Sequence, residues 1–416
     1  MVSSLTELLF QGESTEVLKG LEDNSIDSVV CDPPYGLSKE TDIAKVLSEW
    51  VSGDASFVPD GKGFMSKEWD GFVPPPSLWR EVYRVLKPGG HALVFAGTRT
   101  QDLMTISLRL AGFEVRDVIE WLYFSGFPKS HDVGKAFDRR AGAEREVIAE
   151  KKKTQSYGYE GNNTYGNDIN RGGVQEITAP ATELARKYDG WGTALKPSHE
   201  PIIVVRKPLI DADTGRKLTV ADCVEKYGTG AINMDASRIA TFGEDAERHR
   251  AEWERTQSAN QSDRATYLSP KEKEADLRAF AKDGRFPANC ITLDEGEFYS
   301  KYFNVAIITP AELSKKASKK DRNSDWQGEE IDGINVHPTV KNTDLMAWLV
   351  RLVTPKGGTV LDPFAGSGST LVAAKREGFG FIGVELTEEY IPIIEARVGA
   401  EATGTKAEAN EGQAKQ

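Results

Sequence analysis

Thr359-Val360-Leu361-Asp362-Pro363-Phe364-Ala365-Gly366-Ser367-Gly368-Ser369-Thr370 passes from a short apolar run, through a turn with two glycines, into a helical pattern. Thr359 to Leu361 reads as a strand, Ser369 to Glu377 as a helix ended by Gly378, and Phe379 to Val384 as a second strand. Strand, glycine-rich turn, helix and parallel strand form the building unit of a doubly wound α/β sheet. In such sheets ligands gather at the carboxyl ends of the strands, where this turn lies and where Glu385 closes the second strand.

The same alternation continues outward from that unit. Thr343 to Val353 reads as a helix capped by Asn342 or Thr343, with Pro355 just past its end. Glu388 to Val398 reads as a closing helix with Pro392 in its first turn. Towards the N-terminus, Ile26 to Cys31 and His91 to Phe95 are buried strands. Pro75 to Leu86 is a helix stopped by Pro88-Gly89-Gly90, and Leu103 to Ala111 a helix ended by Gly112. Pro201 to Val205 resumes as a strand. Between these stretches the periodicity fades. Residues 141–190 read as a long mobile loop containing Ser156 to Tyr159, Gly161 to Gly166 and Lys151, Lys152 and Lys153, which could close over a nucleic acid, with simple disorder as the equal alternative. Residues 207–335 read as an inserted domain, with a charged helical stretch from Glu244 to Thr256, and 399–416 as a disordered, solvated tail. The expected organisation is therefore 1–140 and 191–206 as one half of an α/β sheet domain, and 336–398 as its other half.

The glycine-rich turn is not a dinucleotide fingerprint. Leu371 stands near the place of the third glycine, and Asp362 would repel a phosphate. Glu385 can still accept both hydroxyls of a ribose. An acidic, glycine-rich turn suits a nucleoside with a cationic, phosphate-free tail, the chemistry of S-adenosylmethionine. A tight turn without a ligand is the plain alternative.

Composition narrows the class. With 39% hydrophobic and 28% charged residues in 416, the chain is that of a soluble globular protein of about two or three units. A net charge of -12 argues against coating nucleic acid by bulk electrostatics, and leaves room for basic groups gathered on one face. Cys31, Cys223 and Cys290 fit neither a disulfide framework nor a zinc site, and none of the five histidines has metal-ligand spacing, so no metal is expected. No apolar run approaches the roughly 20 residues of a membrane span, and Met1 to Gln11 lacks signal-peptide features. A cytoplasmic location is the expectation.

The second motif follows the strand Ile26 to Cys31: Asp32-Pro33-Pro34-Tyr35. Two prolines hold an extended turn and remove two donors, so the Pro33 carbonyl can stand beside Asp32 as a second acceptor. A base's exocyclic amine is a poor nucleophile because its lone pair is delocalised into the ring. Two acceptors gripping its hydrogens push the nitrogen towards tetrahedral geometry and expose the lone pair. Tyr35 offers a π face to an unstacked base. A capped, proline-rich strand exit is the structural alternative.

With both motifs in place, the chain resembles the amino-group (N6-adenine/N4-cytosine) DNA methyltransferases of the permuted β type, in which the catalytic motif precedes the cofactor motif. The likeness is carried by DPPYGL at 32–37, KPSHEPIIV at 196–204, HPTVK at 337–341, and DPFAGSGST at 362–370 followed by Glu385. It implies a Rossmann-like methyltransferase sheet with an inserted target-recognition domain, S-adenosylmethionine as cofactor and double-stranded DNA as substrate. By this likeness Asp32, Pro33, Pro34 and Tyr35 engage the target amine and base, while Asp362, Phe364, Gly366, Gly368, Thr370 and Glu385 hold the cofactor. Relatives carry Gly-Asp near the N-terminus where this chain has Gly12-Glu13, and Glu13 can still accept the adenine's hydrogen bond. HPTVK is commonly followed by proline, here by Asn342, and Lys341 is the candidate for the cofactor's carboxylate end.

Within the insert, Lys315, Lys316, Lys319, Lys320 and Arg322 are the candidate phosphate contacts, with a solvated helix face as the alternative. An opening Asp favours adenine N6, since the cytosine N4 relatives more often open with Ser. Ring-carbon methylation would need a cysteine nucleophile, and no Pro-Cys pair occurs. Protein glutamine methyltransferases open the motif with Asn. RNA methylation and a non-catalytic, cofactor-binding recognition subunit are the other readings. A homodimer and a partner restriction nuclease are compatible with the resemblance.

Overall fold

The computed structural model describes residues 5–36, 41–60, 71–123, 130–152, 174–237, 289–291, 316–332 and 335–399. Outside them lie Leu37, Lys153, Ser156 to Tyr159, Gly161 to Gly166, the stretch Glu244 to Thr256, Lys315 and the tail beyond Gly399. The chain forms two units, Met1–Tyr123 with Glu200–Gln416, and Phe124–His199.

The larger unit is built on ten-residue and shorter strands: β1 Glu7–Gln11, β2 Ile26–Cys31, β3 Leu86–Phe95, β4 Glu114–Leu122, β7 His199–Arg206, β8 Cys290–Ile291, β9 Thr359–Asp362 and β10 Gly380–Glu385. They form one sheet in the order β1-β10-β9-β2-β3-β7-β4-β8. β1, β10, β9, β2 and β3 are parallel neighbours, and β7 joins β3 antiparallel. All six residues of β2 and all six of β10 are buried, as expected for strands covered on both faces. Alternation sorts them to two cores. Val30, Leu93, Phe95 and Val360 point to one face, under the helices Thr343–Val353 and Ser369–Arg376. Val29, Cys31, Ala92, Val94 and Leu361 point to the other, under Pro76–Val85 and Gln101–Leu110.

That sorting decides where the site falls. From β9 the chain crosses one face to β10; from β2 it crosses the opposite face to β3. β9 and β2 are neighbours, so the crossovers diverge between them and leave a crevice at their carboxyl ends. The doubly wound α/β fold is thus realised, with the two motifs on adjacent strands although more than three hundred residues separate them.

Two elements differ from their sequence reading. β3 begins at Leu86, not His91: the register moves from Ile26↔Leu86 to Ser28↔His91, so Lys87 to Gly90 bulge out of the ladder rather than stop a helix. Pro88 has no N–H to give, and a bulge accommodates it. The 141–190 stretch, read as a long loop, carries structure in the smaller unit: β5 Val147–Lys152 pairs antiparallel with β6 Val174–Thr178, followed by a helix Glu183–Lys187. Buried Asp138, on the helix Val133–Ala141, joins these pieces by accepting from the Ala181 and Thr182 N–H groups, the Thr182 hydroxyl and Arg145. Burial opposes its charge, but those donors outweigh it and hold the carboxyl at about 2. Polar capping rather than apolar periodicity organises this unit, and capping leaves little pattern to read.

The described parts of 207–335 belong with the sheet. The helix Val220–Tyr227, opened by a Thr219/Asp222 capping box, lies against the β3 bulge, where the Cys223 thiol and Thr229 hydroxyl donate to the Pro88 carbonyl. β8 extends the sheet beside β4.

Candidate active site

The register Val29↔Leu361 brings Asp32 and Asp362 to the same edge. On the β9 side the turn is shaped by backbone. Gly366 and Gly368 have φ of +56° and +80°, where a side chain is strained. A Cβ on Gly366 would lie 3.0 Å from His337 Nε2, and one on Gly368 3.0 Å from Ile394. Asp362, 2% exposed, accepts from the Phe364 N–H (3.0 Å) and the Thr370 hydroxyl, while burial pushes its carboxyl up to about 7. Glu385 accepts from the Gly366 and Thr387 N–H groups, each at 2.7 Å, and burial raises it as well. Phe364 leans on Trp79, their ring centroids 6.1 Å apart.

β1 runs beside β10, pairing Gln11 with Glu385, so Glu13 arrives next to the same edge. It is exposed and caps the helix Ser14–Leu18 by accepting from Glu16 N–H at 3.0 Å. Ser14 donates to the Pro363 carbonyl at 2.5 Å and ties β1's exit to the glycine turn. Asp362, Glu385 and Glu13 offer acceptors and negative charge, and the glycines leave a cradle that side chains would fill. Such a set of acceptors around an open turn could hold a cationic nucleoside.

On the β2 side the site is made of charge. Pro33 is buried, Asp32 and Tyr35 half-buried. Asp32 Oδ2 receives Lys341 Nζ at 2.5 Å and Oδ1 receives the Tyr35 hydroxyl at 2.7 Å. Glu200 Oε2, on β7, lies 3.0 Å from the same hydroxyl and 3.3 Å from Lys341 Nζ. The Lys341 ammonium also rides 4.8 Å from the Phe95 ring centroid. Burial pushes Asp32 up; Lys341 pulls it back without reversing the shift, and Glu200 adds to the rise. Burial disfavours the Lys341 charge, yet Asp32 and Glu200 outweigh it and the ammonium is held above its ordinary value. Tyr35 is raised well above normal by burial and by the two carboxylates.

Lys341, expected at the cofactor's carboxylate end, bridges Asp32 and Glu200. Glu200 was missed because a lone acid at the head of a strand carries no pattern; only its place in KPSHEP hinted at it. Tyr123, just past β4, hydrogen-bonds Glu200 and was missed for the same reason. His337 stacks edge-on against Tyr390 at 4.6 Å and backs Gly366. Arg397, fully buried, was also unforeseen: it donates to the Ser367 carbonyl (2.8 Å) and the Ser369 hydroxyl (3.2 Å), clamping the glycine turn from behind.

Of the basic run, Lys316, Lys319 and Lys320 are exposed, and Lys316 Nζ lies 5.0 Å from the Tyr123 ring centroid. Arg322 is different: half-buried, it donates to the His337 carbonyl at 2.5 Å. Among the described residues no His, Cys, Asp or Glu cluster could hold a metal, and no helix is long and apolar enough to cross a membrane.

Residues 26–396 match the N6_N4_Mtase family, described as DNA methylase. Type II methyltransferase M.HindIII of Haemophilus influenzae is 23% identical over 95% of this chain and 96% of its own. Type II methyltransferase M2.DpnII of Streptococcus pneumoniae is 39% identical over 21% of this chain and 28% of its own. Among solved structures, PvuII DNA methyltransferase (cytosine-N4-specific) is 14% identical, with a TM-score of 0.43 over 98% of this chain and 92% of that one. A candidate DNA modification methylase from Thermus thermophilus in complex with S-adenosyl-L-methionine is 18% identical, with a TM-score of 0.37 over 94% of each chain. Matched along most of its length, the chain belongs to the N6/N4 DNA methylase family, whose enzymes use S-adenosylmethionine.

Proposed function

We propose that this DNA methyltransferase is site-specific and acts on adenine N6 in double-stranded DNA. One observation carries the reading: Asp32 and Tyr35 leave β2 beside the glycine turn that leaves β9, so an acceptor for an amine faces the place built for a methyl donor. S-adenosylmethionine supplies a methyl group made electrophilic by its sulfonium. Asp32 in its charged form, with the Pro33 carbonyl, grips the amine of an extruded adenine and sharpens its lone pair. Pro34 stiffens that turn. Tyr35, its hydroxyl anchored by Asp32 and Glu200, presents a fixed ring for the base to stack on. Asp362, Phe364, Gly366, Gly368, Thr370, Glu385 and Glu13 hold the donor in line. Lys341 serves Asp32. Cys31, buried on β2 with its thiol pushed well up by burial, takes no part, and no covalent intermediate forms on the enzyme.

The choice of adenine rests on the acid that opens the motif. The 207–335 segment is assigned to sequence recognition, with Lys316, Lys319 and Lys320 on phosphates. The type II names of the relatives support a restriction-modification role. Nucleoside mass spectrometry of DNA incubated with labelled cofactor is the test, and label is expected in N6-methyladenine. Label in N4-methylcytosine would move the base assignment and keep the mechanism; label in 5-methylcytosine would overturn both.

A further inference from the structure

Glu200 touches neither the amine nor the cofactor in that scheme, yet it shares both of Asp32's partners. The Tyr35 hydroxyl lies between Asp32 Oδ1 at 2.7 Å and Glu200 Oε2 at 3.0 Å, and carries a single proton to give. The Lys341 ammonium lies between Asp32 Oδ2 at 2.5 Å and Glu200 Oε2 at 3.3 Å. Each donor is divided between two carboxylates, and Glu200 is itself held by the Tyr123 hydroxyl from β4's end.

Asp32 has to accept an amine hydrogen, which needs a free lone pair and a full negative charge. Each Asp32 oxygen already takes one of these donors and keeps a second lone pair, but with Lys341 and Tyr35 committed to it alone its charge would be more fully compensated in a half-buried site. We propose that Glu200 is a positioning residue that keeps Asp32 a strong acceptor for the target amine, by drawing Lys341 and the Tyr35 hydroxyl partly away from it. This rests on Asp32 being the amine's acceptor. The charged and titratable groups around Asp32 are Lys341 from the HPTVK segment, Glu200 from β7, Tyr35 from its own turn, Cys31 before it and Asp362 from the glycine turn. Among these described residues Lys341 alone is cationic, so Glu200 decides how much of that cation Asp32 feels.

The sign of the effect follows. Glu200's charge raises the Asp32 carboxyl and Lys341 lowers it. Removing the Glu200 charge leaves Lys341 unopposed, and Asp32 titrates at lower pH. Methyl transfer requires charged Asp32, so the acid limb of the rate profile moves down, while the plateau falls because a more acidic carboxylate is a weaker acceptor.

The experiment compares the parent with Glu200→Gln and Glu200→Asp. Single-turnover transfer of a tritiated methyl group to DNA is followed against pH, and the Asp32 carboxyl is titrated by carbon-13 NMR, its signal assigned with Asp32→Asn. Glu200→Gln is expected to lose about tenfold at the plateau and to shift both midpoints down by about one unit. Glu200→Asp keeps the charge and is expected to keep the parent's midpoints. Cofactor affinity by calorimetry stays within about twofold of the parent in both. Parent midpoints in Glu200→Gln would overturn the proposal, whatever the rate. A parent that transfers no methyl group would instead overturn the assigned function, and the carboxyl titration would still decide for or against Glu200.

Discussion

The two turns that meet at the edge of the sheet are held in opposite ways. After β9 the chain is fixed by shape: two glycines in left-handed conformations, carboxylates accepting nearby backbone N–H groups, and Arg397 clamping Ser367 and Ser369 from behind. After β2 the site is fixed by charge, with Asp32, Glu200 and Lys341 arriving from distant parts of the chain and each depending on the other two. The first is a mould and the second a balance. A mould survives a change of charge nearby and fails on a change of shape; a balance does the reverse.

The sharpest way to break that comparison is to remove one charge. Asp32→Ala takes away the acceptor proposed for the amine and leaves Lys341 to Glu200, while the glycine turn across the crevice is unaltered. Turnover is expected to fall by about a thousandfold or more, with cofactor affinity within about twofold of the parent. Cys31→Ser, one residue earlier on the same buried strand, puts a hydroxyl in the core and costs stability of about 1–3 kcal/mol, yet most of the rate remains. Radiolabel transfer and calorimetry on the same preparations check both. Equal losses of turnover and cofactor binding in Asp32→Ala would mean that the turns are not separable.

The difference between mould and balance also explains what could be read in advance. Gly366, Gly368, Asp362 and Glu385 lie within one strand-turn-helix-strand unit, so their placement at one turn follows from local order, and the strand and helix runs around them carry clean apolar periods. Thr343 to Val353 is found with the bounds read for it and with Asn342 as its cap. Glu200 and Tyr123 have no local signature. Their meaning depends on which strands become neighbours, and β7's place beside β3 cannot be derived from a chain that leaves the sheet for the Phe124–His199 unit before returning. The pairing of Lys341 with Asp32 was not legible, because its partner at 2.5 Å lies 309 residues away. β1 escaped notice since Glu7 to Gln11 is too short and mixed to show a period.

Within the mould, Glu385, the carboxylate proposed for the ribose, is the next target. Glu385→Ala removes that acceptor and leaves the Gly366 and Thr387 N–H groups without their carboxylate. The cost is that of a charge-assisted hydrogen bond, about 1.5–3 kcal/mol, or roughly a ten- to hundredfold weaker affinity for S-adenosylmethionine. At saturating cofactor the transfer rate should be close to the parent's, because the Asp32 balance is intact. Calorimetric titration showing parent affinity would remove Glu385 from the cofactor site.

The smallest effect expected concerns the basic run, and it divides residues that look alike in sequence. Lys316, Lys319 and Lys320 are exposed, and Lys316 lies over Tyr123, whose hydroxyl reaches Glu200, so this face borders the target side of the crevice. Replacing the three by Ala should weaken binding to every DNA sequence alike and flatten the dependence on salt, by about 0.9 in log–log slope for each phosphate no longer neutralised. Arg322 lies in the same run, yet its guanidinium is committed to the His337 carbonyl, and His337 backs Gly366. Arg322→Ala should therefore leave the salt slope unchanged and weaken cofactor binding instead, because it loosens the wall of the mould. A binding series against salt, run beside calorimetry, separates the two. The parent slope in the triple variant would make the lysines a solvated face, and a flattened slope in Arg322→Ala with cofactor affinity intact would return Arg322 to the phosphate-binding groups.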